Sequence, residues 1–242
     1  MPETRVPVRS MLGVLALLPA LVPALCLAES QQFTSTAHDL KTGKVIFTEH
    51  YDVQTDNGRW VSGITRYLSP SGQQIAERKF DFSSDRYVPV YQLEQSVPEY
   101  REGITRIEKS KVDLFMMRDG DRKSGSVERV KELVADCGAQ AYVLDHLDTL
   151  QAGGILHFML AVAGRVDSFS LRARKLADVD VNGVKAIRVR VELDSVLRLV
   201  LPPLELTVDP HNRKLLEYSG ISNLKDPATK KAYSARIVFS YK

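Results

Sequence analysis

The chain has 242 residues, 44% of them hydrophobic and 26% charged, with a formal net charge of +3. That apolar content, over that length, supports a sizeable core. The near-balance of charge argues against nucleic-acid binding, which usually brings a strongly basic face and a pI above about 9.

The first 28 residues read as a secretory signal peptide. Arg5 and Arg9 form a positive start, Met11 to Leu27 is a nearly unbroken apolar run, and Cys26-Leu27-Ala28 places small residues where cleavage before Glu29 needs them. Pro19 and Pro23 interrupt the run, which argues against a retained anchor. Lipidation at Cys26 is the alternative, but Leu25 stands where a lipoprotein has a small residue. The expectation is an exported, periplasmic protein that is not integral to the membrane after cleavage. Losing Arg5, Arg9 and Glu3 from 33 basic and 30 acidic residues leaves 31 and 29, a net +2. Only Cys137 remains among the cysteines, so an intramolecular disulfide is excluded.

From residue 29 to 242 short alternating runs are divided by turn residues, a pattern expected of one antiparallel β domain. The dividers are Lys41-Thr42-Gly43, Asp56-Asn57-Gly58, Ser69-Pro70-Ser71-Gly72 and Arg118-Asp119-Gly120, then Asn182-Gly183, Asp209-Pro210-His211-Asn212 and Lys225-Asp226-Pro227. Asn-Gly and Asp-Gly supply the positive φ angles of tight hairpin turns. In 59–68, Trp60, Ile64 and Leu68 share a face with Ser62 and Arg66. In 73–82, Ala76, Phe80 and Phe82 share one with Arg78. Such mixed faces suggest a sheet covered on one side and partly wet on the other.

One segment departs from this period. Across 139–152, Val143, Leu147 and Leu150 recur at helical spacing, with Asp136 as a cap before them and Gly153-Gly154 as a stop after them. A single amphipathic helix is expected there. Residues 126–135 fit a helix only loosely, and Ser195 to Leu201 could be a short helix or a strand. Later strands are cleaner. Phe169, Leu171 and Ala173 alternate with Arg172 and Arg174; Ile187, Val189, Val191 and Leu193 alternate with Arg188, Arg190 and Glu192; Ala235, Ile237 and Phe239 do the same near the end.

Few features announce chemistry. The histidines, at 38, 50, 146, 157 and 211, form no metal-type pair, and Cys137 has no Cys-His signature around it. Asp145 and His146 are neighbours on the expected helix, pointing about 100° apart, which favours a solvated face over a dyad. A G-x-S-x-G elbow, a phosphate loop and a dinucleotide fingerprint are all missing. No cofactor and no metal are expected, and the chain reads as non-enzymatic. Dispersed carboxylates or a dispersed triad leave an envelope hydrolase as the alternative.

The feature with most chemical interest is an arginine ladder. Arg172 and Arg174 on one strand and Arg188 and Arg190 on its hairpin neighbour are expected to share a face. They form either a solvated face relieved by Glu192 and Asp178, or a site for an anion or lipid headgroup, since arginine binds phosphate and carboxylate bidentately. Trp60, Phe80, Phe82, Phe115, Phe158, Phe169 and Phe239 are expected to build the core or line a lipid-sized cavity under the helix.

Several short stretches resemble a group of exported proteins of Gram-negative bacteria that carries no assigned reaction. They are Phe33-Thr-Ser-Thr-Ala-His-Asp-Leu-Lys-Thr-Gly43, Val45-Ile-Phe-Thr-Glu-His50, Leu68-Ser-Pro-Ser-Gly72, Tyr100-Arg-Glu-Gly103, Glu192-Leu-Asp-Ser195 and Gly220-Ile-Ser-Asn-Leu224. In order of elements the chain is also similar to periplasmic lipid-carrier half-barrels, in which a curved antiparallel sheet wraps around helices. The resulting expectation is a mainly β fold: a large curved antiparallel sheet, a half-open barrel, with one principal helix packed on it or plugging it. Its function would be to bind a lipid or other apolar ligand in the cell envelope, with a partner-binding scaffold as a further alternative.

Overall fold

The computed structural model of the protein describes residues 29–196 and 203–241. The expected leader at 1–28, with Cys26, and most of the Ser195–Leu201 segment lie outside the described residues. Eight strands come first: β1 (Glu29–Asp39), β2 (Val45–Asp56), β3 (Arg59–Leu68), β4 (Gln74–Asp81), β5 (Val90–Gln95), β6 (Tyr100–Ile107), β7 (Lys111–Arg118) and β8 (Asp121–Glu128). A short strand, β9 (Leu133–Ala135), leads into two helices, α1 (Cys137–Asp145) and α2 (Leu147–Gln151). Six more strands follow: β10 (Ile155–Val162), β11 (Asp167–Val181), β12 (Val184–Leu193), β13 (Leu204–Asp209), β14 (Lys214–Lys225) and β15 (Ala232–Tyr241). A 3-10 turn at Ala163–Arg165 joins β10 to β11.

All these strands form one sheet, in the order β8-β7-β6-β5-β4-β3-β2-β1-β15-β14-β13-β12-β11-β10-β9. Two meanders, one before the helices and one after, meet where β1 pairs with β15. Consecutive hairpins explain the turn spacing, and every divider read from the sequence starts at or just after the end of a strand. At the β2–β3 turn Asn57 and Gly58 adopt φ of 51° and 73°, the left-handed angles that Asn-Gly accommodates with little strain.

The sheet is open, with β8 at one edge and β9 at the other. Residues 129–132 alone connect those edges. Five Cα steps reach at most roughly 18 Å, so the sheet must curl back on itself. The 3-10 turn at Ala163–Arg165 packs on β6 and β7 and seats the far corner of the curl. The mainly β, half-open architecture expected from the sequence is the one observed.

The concave face is the core. Phe33, Tyr51, Val53, Phe80, Tyr91 and Ile104 anchor one cluster, and Phe47, Tyr67, Leu93 and Leu224 another. The third lies under the helices, where Tyr142, Val143, Leu147 and Leu150 meet Leu171, Ala173, Val189 and Val191. Trp60 joins the first cluster because a bulge intervenes: Gln54 pairs with Ser62 but Thr55 with Trp60, leaving Val61 as the extra residue. The bulge turns Trp60 toward the interior, against the strict alternation expected of 59–68.

The helical segment differs from expectation in two ways. It is not one helix over 139–152 but two, broken at His146 (φ −109°, ψ 23°). The imidazole Nδ1 lies 2.8 Å from the Tyr142 carbonyl, the acceptor that the His146 amide would take in a continuing helix. That amide turns instead to Val143, at 3.2 Å, tightening and ending α1. The expected buried face survives, since Val143, Leu147 and Leu150 are all buried. Asp136, moreover, does not cap α1 with its side chain. It sits at φ 45° with its carboxylate turned into the barrel. The ambiguous 126–135 stretch is the end of β8 and the whole of β9, not a helix.

Candidate functional site

The placement of the arginine ladder is decided by its strand register. Arg172 lies opposite Glu192, Arg174 opposite Arg190, and Arg188 and Arg190 opposite Thr207 and Glu205 of β13. The four do share a face, as the hairpin implied. It is the outer face: Leu171, Ala173, Val189 and Val191, which alternate with them, are the residues beneath the helices. The charge of three of them, Arg172, Arg174 and Arg190, is answered locally. Arg172 donates to Glu192 at 2.9 Å through Nε, and Arg190 donates to Glu205 at 2.8 Å. Arg174 approaches Glu192 at 3.9 Å. The hydrogen bond from Arg172 holds the Glu192 carboxyl below the usual range. The expectation that these arginines border a cavity closed by the helix is therefore corrected.

The cavity is at the other side of the sheet, at its mouth. It has a volume of about 650 Å³ and lies between α1 and the ends of β1, β2, β3, β14 and β15. Trp60, Phe82, Leu144, Leu215 and Tyr241 give it apolar walls. Arg59, Arg86, Arg213 and Lys214 bring positive charge to the lining, against Glu29 and Asp145. Asp145 is already engaged, accepting from Arg86 Nε at 2.6 Å and the Tyr87 hydroxyl at 2.9 Å. It is thus neither on a solvated face nor paired with His146. Cys137 also reaches the cavity, but burial pushes its thiol up, away from the thiolate.

What fixes α1 over this cavity is a polar network inside the barrel. Arg78 donates to both Asp136 oxygens, at 3.1 and 3.0 Å, and to Thr65 Oγ1 at 3.2 Å. Asn223 of β14 donates to Asp136 Oδ1 at 2.9 Å. The side chains of Arg78 and Asp136 are 9% and 1% exposed, so the pair is fully interior. Arg78 does share a face with Ala76 and Phe80, as its spacing implied, but that face is dry. Glu49 sits in the same interior, accepting from Ser35 and from the Tyr51 hydroxyl, and burial holds its carboxyl above the usual range. The joint between Asp136 and α1 is tight: a Cβ on Gly138 would stand 1.9 Å from the Tyr87 carbonyl oxygen. Tyr87 packs edge-on against Tyr142 of α1 at 5.2 Å.

A second polar cluster occupies the opposite end. Lys214 and Lys225 bracket β14, roughly 35 Å apart at strand rise. At the Lys225 end, Tyr100 is buried and donates to Glu102, with Lys225 Nζ 4.5 Å above its ring and the Arg118 guanidinium 5.8 Å away. Gln95 clamps the Lys225 backbone with its amide, at 2.6 and 2.9 Å. Gly164 approaches so closely that a Cβ there would lie 2.3 Å from Glu102 Oε2. This cluster pins the 3-10 turn onto β6.

Trp60 and Phe82, expected to build the core or line a cavity, do line it, whereas the charged residues of the site are not among those the sequence points to. Arg59, Arg213 and Lys214 each follow a turn signal, so their place at a rim was readable. Asp136 and Arg78, 58 positions apart, show no joint signal. Among the described residues no three of His, Cys, Asp and Glu converge as a metal would require, and no helix is long and apolar enough to cross a membrane.

No protein-family model and no curated protein matches the chain. A solved structure does: a β-barrel-like protein of domain of unknown function DUF1849 from Brucella abortus, a Gram-negative bacterium. The two superpose with a TM-score of 0.54 at 8% identity, over 88% of this chain and 96% of that one. At that identity the likeness is one of fold, and the chain is similar to a β-barrel-like protein over most of its length.

Proposed function

We propose that the protein is an exported, non-enzymatic binding protein of the cell envelope, which holds the apolar part of a small molecule or lipid in the cavity under α1. The carrying observation is the cavity itself. Its volume of about 650 Å³ falls within the range of small-molecule sites, and Trp60, Phe82, Leu144 and Tyr241 give it the apolar and aromatic walls such sites have. Export rests on the leader pattern of residues 1–28. A binding role in place of catalysis is favoured by the state of the ionisable groups. No histidine is among the lining residues, Asp145 is spent on Arg86 and Tyr87, and the Cys137 thiol is held neutral by burial.

Trp60 is the only tryptophan in the chain and it lines the cavity, so its fluorescence reports on this place alone. The neutral apolar dye N-phenyl-1-naphthylamine should bind saturably, with energy transfer from Trp60. Replacing Leu144 by Arg should weaken it without unfolding the sheet. Absence of saturable transfer would remove the proposal.

A further inference from the structure

Resting on that reading, the cavity's charge says which apolar molecules suit it. Two hairpin turns meet at its mouth. The β2–β3 turn delivers Arg59, and the β13–β14 turn delivers Arg213 and Lys214. Of the two carboxylates in the lining, Asp145 is consumed by Arg86 and Tyr87, which leaves Glu29 facing those three cations. Lys214 Nζ stands 4.8 Å from the Tyr241 ring, so one cation lies directly over an aromatic wall.

The backbone gives a second, independent observation. Arg213 adopts φ 51°, a conformation that Gly and Asn take with least strain. Its neighbour Asn212 is occupied in closing the turn, donating to Asp209 at 2.8 Å. An arginine therefore stands at the turn position where local geometry least favours one, and it is exposed at the rim of the cavity. Strain retained at the edge of a cavity motivates a role for the side chain.

The geometry points to a single-chain amphiphile with an anionic headgroup as the ligand: the headgroup between Arg59, Arg213 and Lys214 at the mouth, the chain along Trp60, Phe82 and Leu144. Arginine and lysine at a rim, with apolar walls below, match a carboxylate or phosphate monoester carried on an alkyl chain. A neutral chain of the same length would fill the walls and leave the rim charges unanswered.

The test is displacement of N-phenyl-1-naphthylamine from the purified protein at pH 8 by dodecanoate, dodecyl phosphate and 1-dodecanol, which share one chain. The anions should displace the dye at about tenfold lower concentration than the alcohol, or lower still. The difference should shrink with added salt. In an Arg59→Gln, Arg213→Asn variant the anions should fall to the level of the alcohol, with the alcohol itself unchanged. Both positions are exposed and asparagine tolerates the left-handed angle, so the fold is preserved, as circular dichroism would verify. Equal displacement by all three probes overturns the headgroup assignment and leaves the cavity reading standing. So does preference for the anions that survives in the variant. Failure of all three to displace the dye overturns the cavity reading as well. Dodecanoate and dodecyl phosphate acting alike supports the shared anionic chemistry, and preference for one names the headgroup.

Discussion

Replacing Asp136 by Asn removes one charge from the barrel interior and turns one of the two oxygens that accept from Arg78 into an amide donor. Asparagine has the same shape, tolerates the φ of 45° found there, and keeps an oxygen that can accept from Asn223. What it takes away is the counter-charge of Arg78, whose side chain is 9% exposed. Breaking a buried pair on one side costs about 3–5 kcal/mol, because the remaining charge stays desolvated and uncompensated. For a domain of this size each kcal/mol moves the melting temperature by roughly 2–4 °C, so a fall of roughly 6–20 °C is expected. Urea denaturation followed by far-UV circular dichroism measures the loss, with the slope m unchanged if the native state keeps its compactness.

The double variant Arg78→Met, Asp136→Asn separates charge from packing. Removing both ions abolishes the uncompensated charge, and methionine fills an irregular space well. It also removes Arg78 Nε, a buried nitrogen with no hydrogen-bond partner among the described residues. The double variant should recover more than half of the stability lost in either single one. Two single variants each costing under about 1 kcal/mol would refute the assignment of this pair as the anchor of α1.

Three further outcomes follow from the same interior and its surroundings. Burial raises the Glu49 carboxyl in the folded state, so the native protein binds more protons there than the unfolded chain, and this group's contribution falls as pH rises above its unfolded value. Glu49→Gln should thus gain stability relative to the parent between pH 4 and pH 8, as urea titrations at both would read; a constant difference would contradict the direction. Gly138→Ala places a Cβ 1.9 Å from the Tyr87 carbonyl oxygen and should destabilise by about 1–3 kcal/mol while shifting the emission of Trp60 as α1 moves. Arg188→Gln with Arg190→Gln acts on the outer face, so stability should change by less than about 1 kcal/mol and dye affinity not at all; a loss of affinity would return the ladder to consideration.

The parts of this fold that were legible in the sequence are those fixed by local chemistry. Asn57-Gly58 and Asn182-Gly183 announce hairpins because the turn requires φ values those residues supply. The alternation of Val189 and Val191 with Arg188 and Arg190 fixes which residues share a face. It also held the answer to which side the arginines take, since the apolar face must be the covered one. Placing them beside a cavity under the helix ran against that alternation. The break at His146 was not legible, because it depends on an imidazole reaching the Tyr142 carbonyl, a contact that apolar periodicity does not encode. Nor was the role of Asp136. Its position before a helix suggested a cap, but Arg78 and Asn223, brought near by the curl of the sheet, offer its carboxylate more than helix amides do.

A widely curled sheet closes a further link between interior and mouth. A barrel lined only with apolar side chains would bury more surface, yet this one carries Glu49, Arg78, Asp136 and Asn223 inside. Their geometry accounts for it: Arg78 comes from β4, Asn223 from β14 and Asp136 from the joint before α1, so one carboxylate ties both meanders to the helix. Apolar packing is non-directional and would hold α1 against the sheet in many rotations. A buried ion pair in which one Arg78 nitrogen bridges both carboxylate oxygens, with Asn223 as a further donor, fixes one. That fixed angle turns Leu144 and Asp145 toward the mouth, where Asp145 takes Arg86 and Arg59, Arg213 and Lys214 line the rim. The polar interior is in this sense the part of the molecule that sets the charge of its cavity.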